Sequence, residues 1–129
     1  DPKFYDMGVC GPFRHDIPTQ TQYCGMFLTP TLRNAAGRHV FFHNGVYHDL
    51  KQVMTFYNLR NTSPEKIYPR DASGKVMKYD DIPAKYVENI DVADAPFDRK
   101  AGDQPAMTDA EIDDIIAFMK TLDDGYKAR

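Results

Sequence analysis

The stretch between Arg60 and Met107 constrains the fold more than any other part of this sequence. Apolar side chains recur there with neither the 3.6-residue period of a helix nor the two-residue period of a strand. Its prolines are Pro64, Pro69, Pro83, Pro96 and Pro105. Connections inside compact domains usually have about 4–6 residues, and a much longer one is commonly functional or supported by a partner surface. We therefore expect few regular elements, joined by long ordered loops.

The composition is that of a globular chain that needs something to complete its core. A length of 129 residues suits one domain. The hydrophobic fraction is 42%, with 8 Tyr, 8 Phe and no Trp, which suggests that a cofactor or another domain finishes the core. The net charge of -3 gives no basic surface for nucleic acid or anionic membrane. No apolar run approaches the roughly 20 residues of a membrane span, and the chain, which opens without Met or a signal peptide, reads as a mature chain or a fragment.

Two segments have the pattern of amphipathic helices. In the first, Asp49 is a good N-cap with Gln52 three residues on, and the apolar face is Leu50, Val53, Met54 and Tyr57, which predicts a helix over about 50–59. In the second, Thr108 and Glu111 form a capping box, and the acidic first turn suits the helix dipole. The apolar stripe there is Ile112, Ile115, Ile116, Met119 and Leu122. It predicts a helix over about 109–122 that ends before Gly125 and docks on another element.

The remaining segments are predicted to be loops and turns. Residues 1–28 show no sustained period. Thr31 can cap a short turn that ends at Gly37, and the chain reverses at His43-Asn44-Gly45, where Gly45 is free to take a positive φ. Residues 67–79 have room for one small β-hairpin about Ala72-Ser73-Gly74. The fold class is therefore mainly α.

Cys10 and Cys24 are too far apart for a CxxC redox or zinc motif. They are compatible with a disulfide, with two free buried thiols or with metal ligation. A disulfide would indicate an oxidising compartment such as a bacterial periplasm.

Three stretches resemble one family. They are Thr29–Asn34 (TPTLRN), Phe41–Gly45 (FFHNG) and Thr108–Leu122 (TDAEIDDIIAFMKTL). Together they are similar to the C-terminal haem domain of bacterial di-haem cytochrome c peroxidases and their MauG-like relatives. The surroundings of Cys10 and Cys24 also look like that broader group. The resemblance implies a cytochrome c-like fold, with the last helix packed across it.

The sequence departs from this family in one large respect. The family attaches each haem through CxxCH, and no such motif is present here. Residues 1–129 therefore resemble the portion of the C-terminal domain that lies downstream of its attachment site. The resemblance implies haem c held covalently by residues outside this chain. By itself this portion is expected to be inactive.

The resemblance assigns Tyr57 the central role. It falls where the peroxidases place a Met as the second axial ligand of the six-coordinate electron-transfer haem and where MauG-like members place a Tyr. From the helical pattern alone, Tyr57 would be a core tyrosine with a hydrogen-bonded hydroxyl. Met54, one turn earlier, is the alternative ligand.

Other residues are assigned to the haem surroundings by the same resemblance. Arg33 and His43 would lie at the haem edge near the propionates, and Pro30 and Phe42 would contact the cofactor. Without the resemblance, His43 is a turn histidine bonded to backbone, and Arg33 ties down a loop. His15, His39 and His48 have no partners at metal-ligand spacing.

A calcium ion is a further expectation, since the family binds Ca²⁺ through backbone carbonyls at positions that match Arg38 and Val40. The cationic Arg38 and the lack of evident carboxylates weigh against it.

The resemblance implies part of a periplasmic di-haem oxidoreductase that uses hydrogen peroxide. Its partners would be an N-terminal haem domain, or the remainder of its own polypeptide, and a redox partner protein. The alternatives are a haem-free binding or structural module that keeps the scaffold, and a pure electron-transfer cytochrome.

Overall fold

The computed structural model describes residues 5–12, 14–16 and 19–125. Its two α-helices are α1 (Leu50–Leu59) and α2 (Asp109–Lys120). Short 3₁₀ turns occupy Gly8–Cys10, Thr21–Tyr23, Ala35–Gly37, Pro64–Lys66 and Ala84–Asn89. Extended pairing among the described residues is confined to two isolated antiparallel bridges, Phe41 with Tyr47 and Arg70 with Val76. The architecture is mainly helix and loop.

The chain folds as two compact units, each built from two segments. Unit 1 comprises Asp1–Thr29 and Tyr68–Ala93, and unit 2 comprises Pro30–Ile67 and Asp94–Arg129. Both α-helices belong to unit 2. No helix among the described residues is long and apolar enough to cross a membrane.

Helix α1 begins and ends where its sequence predicts. The Asp49 side chain accepts a 2.8 Å hydrogen bond from the backbone N–H of Gln52. The Gln52 side chain reaches back to the N–H of His48 rather than to that of the N-cap, so the two side chains satisfy donors on either side of the helix start. Leu50 and Val53 are buried, and they form the inner face of the helix.

Helix α2 has the predicted capping box. The Thr108 hydroxyl accepts from the N–H of Glu111, and the Glu111 carboxylate accepts from the N–H of Thr108 at 2.7 Å. Ile112 and Met119 are buried, whereas Ile115, Ile116 and Leu122 are only partly buried, so the predicted stripe is narrower in the structure. The helix packs on α1, and Lys51 of α1 forms an ion pair with Asp113 of α2.

The end of α2 differs from the sequence-based prediction by one short turn. The α-helix stops at Lys120, and Thr121 and Leu122 continue as a tighter turn through bonds to Phe118 and Met119. The reason is tertiary, because the Leu122 carbonyl accepts a 3.0 Å hydrogen bond from the N–H of Asn34.

Asn34 joins the start of unit 2 to its end. Its backbone has φ 60, a left-handed conformation that Asn tolerates better than most residues. Its side chain donates to the Asp124 carboxylate at 2.8 Å and accepts from the N–H of Asp124 at 2.9 Å. The 3₁₀ turn Ala35–Gly37 follows directly and packs on α2. The TPTLRN stretch is thereby fixed to the C-terminal end of α2.

A buried polar cluster holds the loop of residues 94–107 against the C-terminal end of α1. We define it as Asn58, Arg60, Asn61 and Thr62, each less than a tenth exposed. The Asn58 amide donates to the Met107 carbonyl and accepts from the Met107 N–H, at 2.8 and 3.0 Å. The Thr62 carbonyl accepts from the N–H of Gly102. The long loop is therefore ordered mainly by hydrogen bonds, as its lack of apolar periodicity suggests.

Unit 1 is closed by a disulfide. Cys10 and Cys24 are bonded, with their Cα atoms 5.0 Å apart and a sequence separation of 14. The Asn89 amide donates to the carbonyls of Thr21 and Cys24, both at 2.9 Å, and so ties the second segment of the unit to the first. Gly8 has φ +54, and a Cβ there would meet the Met26 carbonyl oxygen at 2.0 Å, so only glycine fits.

The small hairpin of unit 1 is present. Arg70 and Val76 pair, the N–H of Asp71 donates to the Lys75 carbonyl at 2.9 Å, and Gly74 takes φ +84 in the turn.

Candidate functional site

An aromatic cluster surrounds Tyr57 in unit 2. We call it the Tyr57 cluster, and its members are Phe42, Tyr47, Phe56, Tyr57 and Phe97. Neighbouring ring centroids lie 5.2–5.9 Å apart: Phe42 is 5.2 Å from both Tyr47 and Phe56, and 5.9 Å from Tyr57. Most of these pairs meet edge to face, the preferred geometry of aromatic pairs. The cluster is the largest group of rings in contact among the described residues.

Helix α1 and the preceding turn bring the cluster together. Phe41 and Tyr47 pair across the His43-Asn44-Gly45 reversal, as predicted, and Gly45 takes φ +69. Phe42 has φ 63, an uncommon conformation for an aromatic residue, and its ring contacts three members of the cluster. The ring contacts offset the strain of that backbone conformation.

Tyr57 combines a packed ring with an accessible edge. Its ring contacts Phe42, at 5.9 Å and 88°, Phe56, at 5.8 Å and 74°, and Phe97, at 5.5 Å and 40°. Even so, 36% of the residue is exposed, so it is not a fully buried core tyrosine. Burial raises the pKa of its hydroxyl, and the charge of nearby Arg60 opposes that effect without cancelling it. The hydroxyl is thus protonated and neutral at pH 7 unless a further cation stabilises the phenolate.

Arg60 contacts the Phe97 ring. Its guanidinium carbon is 3.6 Å from the centroid of the Phe97 ring, a cation–π contact, and its Nε donates to the Asn61 side chain. The Asn61 amide donates to the Phe97 carbonyl. Phe97 is therefore held at both its ring and its backbone by consecutive residues of the polar cluster.

Met54, the alternative ligand, lies one helical turn before Tyr57 and is partly buried. Its thioether is a soft donor, whereas the phenol oxygen of Tyr57 is hard. The choice between them stays a prediction.

The other residues predicted to contact a cofactor lie on loops. Phe42 is brought into ring contact with Tyr57. Pro30, Arg33 and His43 are exposed, and the Arg33 N–H donates to the Thr31 hydroxyl in the predicted turn. Their roles toward a cofactor stay predictions.

An open groove of about 400 Å³ lies between the start of α1 and α2, and Tyr57 does not line it. Its charged lining residues are Arg38, Asp49, Lys51, Asp113 and Lys120. Cationic side chains outnumber carboxylates there. Val40, the second residue predicted to offer a carbonyl to calcium, does not line the groove and is 58% exposed. Calcium binding through the carbonyls of Arg38 and Val40 stays a prediction.

Histidines do not form a metal centre in the described part of the chain. His48 Nδ1 is 3.1 Å from the His39 carbonyl oxygen, which is a loop contact. No group of three or more His, Cys, Asp or Glu side chains that could hold a metal ion occurs in residues 5–12, 14–16 and 19–125.

Sequence reasoning missed four residues at or beside this site, namely Tyr47, Phe56, Phe97 and Arg60. Phe56 follows the helical period only as a flanking residue, and Phe97 lies in the aperiodic loop, so no pattern in the sequence indicates it. Arg60 could have been noticed, because it lies at i+3 from Tyr57, on the same side of the helix end.

The fold and the aromatic site define the class. Two short helices joined by long hydrogen-bonded loops are similar to the cytochrome c-like fold of di-haem peroxidases, and the predicted fold class is confirmed. No protein-family model matches the chain.

This chain is similar in structure and in sequence to proteins of known identity. Two crystal structures of the diheme peroxidase BthA from Burkholderia thailandensis E264 superimpose on 97% of this chain, with TM-scores of 0.81 and 0.79 and sequence identities of 39% and 41%. The first of them is a variant in which a tyrosine is replaced by methionine. The methylamine utilization protein MauG of Paracoccus denitrificans is 29% identical over 103 residues. The predicted resemblance to MauG-like di-haem peroxidases is confirmed.

The similarity covers most of this chain but a minor part of each relative. The chain spans 29% of the length of the BthA chains and 23% of that of MauG.

Proposed function

We propose that this chain forms the axial-ligand side of a haem site in a larger di-haem peroxidase-type oxidoreductase that uses hydrogen peroxide. The observation that carries the proposal is Tyr57. Its ring contacts three other rings, while more than a third of the residue stays accessible. A tyrosine of this kind can offer its hydroxyl oxygen to a group that covers the aromatic surface.

The residues fit a haem. The described chain buries few apolar side chains, namely Cys24, Leu50, Val53, Ile112 and Met119. Within unit 2, Leu32, Val46 and Phe118 are more than half exposed, so apolar surface is available for a large flat cofactor. A bound haem supplies one-electron and peroxide chemistry, and residues outside this chain would attach it through CxxCH.

This chain's own residues would hold and orient that group. The Tyr57 oxygen, once it has lost its proton, is a hard anionic donor that favours the ferric state. Phe42 would pack against the ring system with Pro30, and Arg33 and His43 would pair with propionates, since a guanidinium matches a carboxylate bidentately.

The proposal extends to the surroundings of the chain. The disulfide favours an oxidising compartment, which suits a periplasmic location. The partners would be the remainder of its own polypeptide, with a second haem domain, and a redox partner protein. BthA is a diheme peroxidase, which supports peroxide as the oxidant.

The ligand assignment is tested in the intact haem-loaded protein by Tyr57→Phe. We expect the loss of the phenolate-to-iron charge-transfer absorption and a changed ferric EPR spectrum, because phenylalanine offers no donor atom. Tyr47→Phe is the matched control: it makes the same chemical change in the same aromatic cluster and should leave both spectra unaltered.

Two further variants separate the alternatives. Tyr57→Met should give the spectrum of a thioether ligand if the position faces the iron. Met54→Leu should change nothing; if it alters the spectra while Tyr57→Phe does not, Met54 is the ligand. A parent protein that contains no haem would support the haem-free module, and one that contains haem but does not turn over peroxide would support an electron-transfer cytochrome.

A further inference from the structure

The polar cluster at the end of α1 lies directly behind the aromatic cluster. Arg60 is only 7% exposed, although guanidinium groups are rarely buried, and its guanidinium carbon lies 3.6 Å from the centroid of the Phe97 ring. The Phe97 ring lies in turn 5.5 Å from that of Tyr57. The three side chains are therefore stacked in the order Arg60, Phe97, Tyr57.

Arg60 and Phe97 are held in place by hydrogen bonds in which Tyr57 takes no part. The Asn61 amide donates to the Phe97 carbonyl, and the N–H of Phe97 donates to the Asp94 carbonyl at 2.7 Å. Asn61 is 7% exposed and its side chain also accepts from Arg60. The ring is thus fixed through the backbone of Phe97, and the cation is held by the buried Asn61 side chain and by the ring itself.

Tyr57 needs such a support. Its ring meets Phe42 and Phe56, which also contact each other and Tyr47. From the loop of residues 94–107 the ring contact is made by Phe97. If Phe97 moved, the accessible phenol could rotate away from the direction that the helix gives it. A donor atom must be held to within a fraction of an ångström to bind a metal in one geometry.

We propose that Arg60 and Phe97 are positioning residues that hold the Tyr57 ring so that its oxygen meets the haem iron in a single geometry. This inference rests on the proposed ligand role of Tyr57. Arg60 acts through Phe97: its cation attracts the ring face and its planar fork fills the space behind it.

The test uses the intact haem-loaded protein with the variants Arg60→Gln and Phe97→Leu. Each should convert part of the single ferric EPR signal into a second signal that matches Tyr57→Phe, because a fraction of the molecules then has Tyr57 turned away. Phe97→Tyr keeps the ring and should retain the single signal. Arg60→Lys keeps the charge without the planar fork and should give an intermediate proportion.

Arg99→Gln is the matched control. Arg99 lies in the same loop and its side chain donates to the Gln104 carbonyl, so its loss should lower thermal stability without altering the EPR signal. A merely structural role for Arg60 would give the same result as this control. If Phe97→Leu does not fold, the comparison of Arg60→Gln with Arg60→Lys decides alone.

The outcomes separate the two proposals. If Tyr57→Phe leaves the ferric spectrum unchanged, the ligand assignment fails. If Tyr57→Phe changes it while Arg60→Gln and Phe97→Leu keep one wild-type signal, the ligand assignment stands and the positioning role is overturned.

Discussion

At the scale of single residues, Asn34 shows how one side chain can stabilise a loop-rich unit. Its backbone adopts a left-handed conformation. Its side-chain amide donates to the carboxylate of Asp124 and accepts from the N–H of the same residue, which is 90 positions away in sequence. The Leu122 carbonyl accepts a hydrogen bond from the backbone N–H of Asn34. Because these bonds lie near the surface, each contributes a modest amount, about 0.5–1.5 kcal/mol.

Two substitutions separate the parts of this role. Asn34→Gly keeps the left-handed conformation and loses the side-chain bonds, so we expect a loss of about 1 kcal/mol in the free energy of unfolding. Asn34→Ala also places a Cβ residue at φ 60, which adds about 1 kcal/mol of strain. Denaturant midpoints of the three proteins give both differences. Equal midpoints for the two variants would show that the backbone at Asn34 is unstrained.

At the scale of elements, α2 owes its start to a local hydrogen-bond pattern that includes a titrating group. The backbone N–H of Thr108, and then its hydroxyl, donate to the Glu111 carboxylate and hold the pKa of that carboxyl below its usual range. A depressed pKa means that the contribution to stability is complete above the unfolded-state pKa of about 4.3 and is lost as the pH falls through the lower folded value.

The capping box therefore predicts a pH dependence. Between about pH 5 and pH 3, the melting temperature of the wild-type chain should fall more steeply than that of Glu111→Gln, because glutamine can still accept from Thr108 but does not titrate. Thr108→Ala should cost about 1 kcal/mol above pH 5 through loss of the N-cap, and less at pH 3, because the hydroxyl bond that lowers the pKa of Glu111 is lost with it. Parallel pH curves for wild type and Glu111→Gln would remove the capping box from the acid response.

The elements also show how far the sequence alone could lead. Both helix starts were predictable because an N-cap hydrogen bond spans only three residues and an apolar stripe lies within one element. The reversal at Gly45 was predictable because it requires only a positive φ at one glycine. The end of α2 was not predictable, since Asn34 competes for it from the other end of the chain.

The site divides in the same way. Tyr57 and Phe42 could be named from motifs that resemble a known family, because both lie in or near the helix that the motif precedes. Phe97 could not, because its place depends on Asn61 and Arg60, which order an aperiodic loop through hydrogen bonds and a cation–π contact. No periodic pattern encodes contacts of that kind.

At the scale of the whole molecule, we expect the disulfide to stabilise unit 1 and to leave the stability of unit 2 unchanged. Reduction, or the double change Cys10→Ser with Cys24→Ser, should destabilise unit 1 by roughly 3 kcal/mol through the loop that the bond closes. In hydrogen exchange, the amides of Val9 and Gly25, which bond to Met26 and Met7, should lose protection. The amide of Ile112, in the α2 helix of unit 2, should keep its protection; equal loss at Ile112 would show that the units unfold together.

The pairing of Asn58 with Met107 has a consequence for the order in which the chain folds. The two residues are 49 positions apart, so their double hydrogen bond can form only after most of the intervening loop has closed, at an entropic cost that local turns do not bear. Weakening this pair should speed unfolding if the pair forms after the transition state, and slow folding if it forms before it.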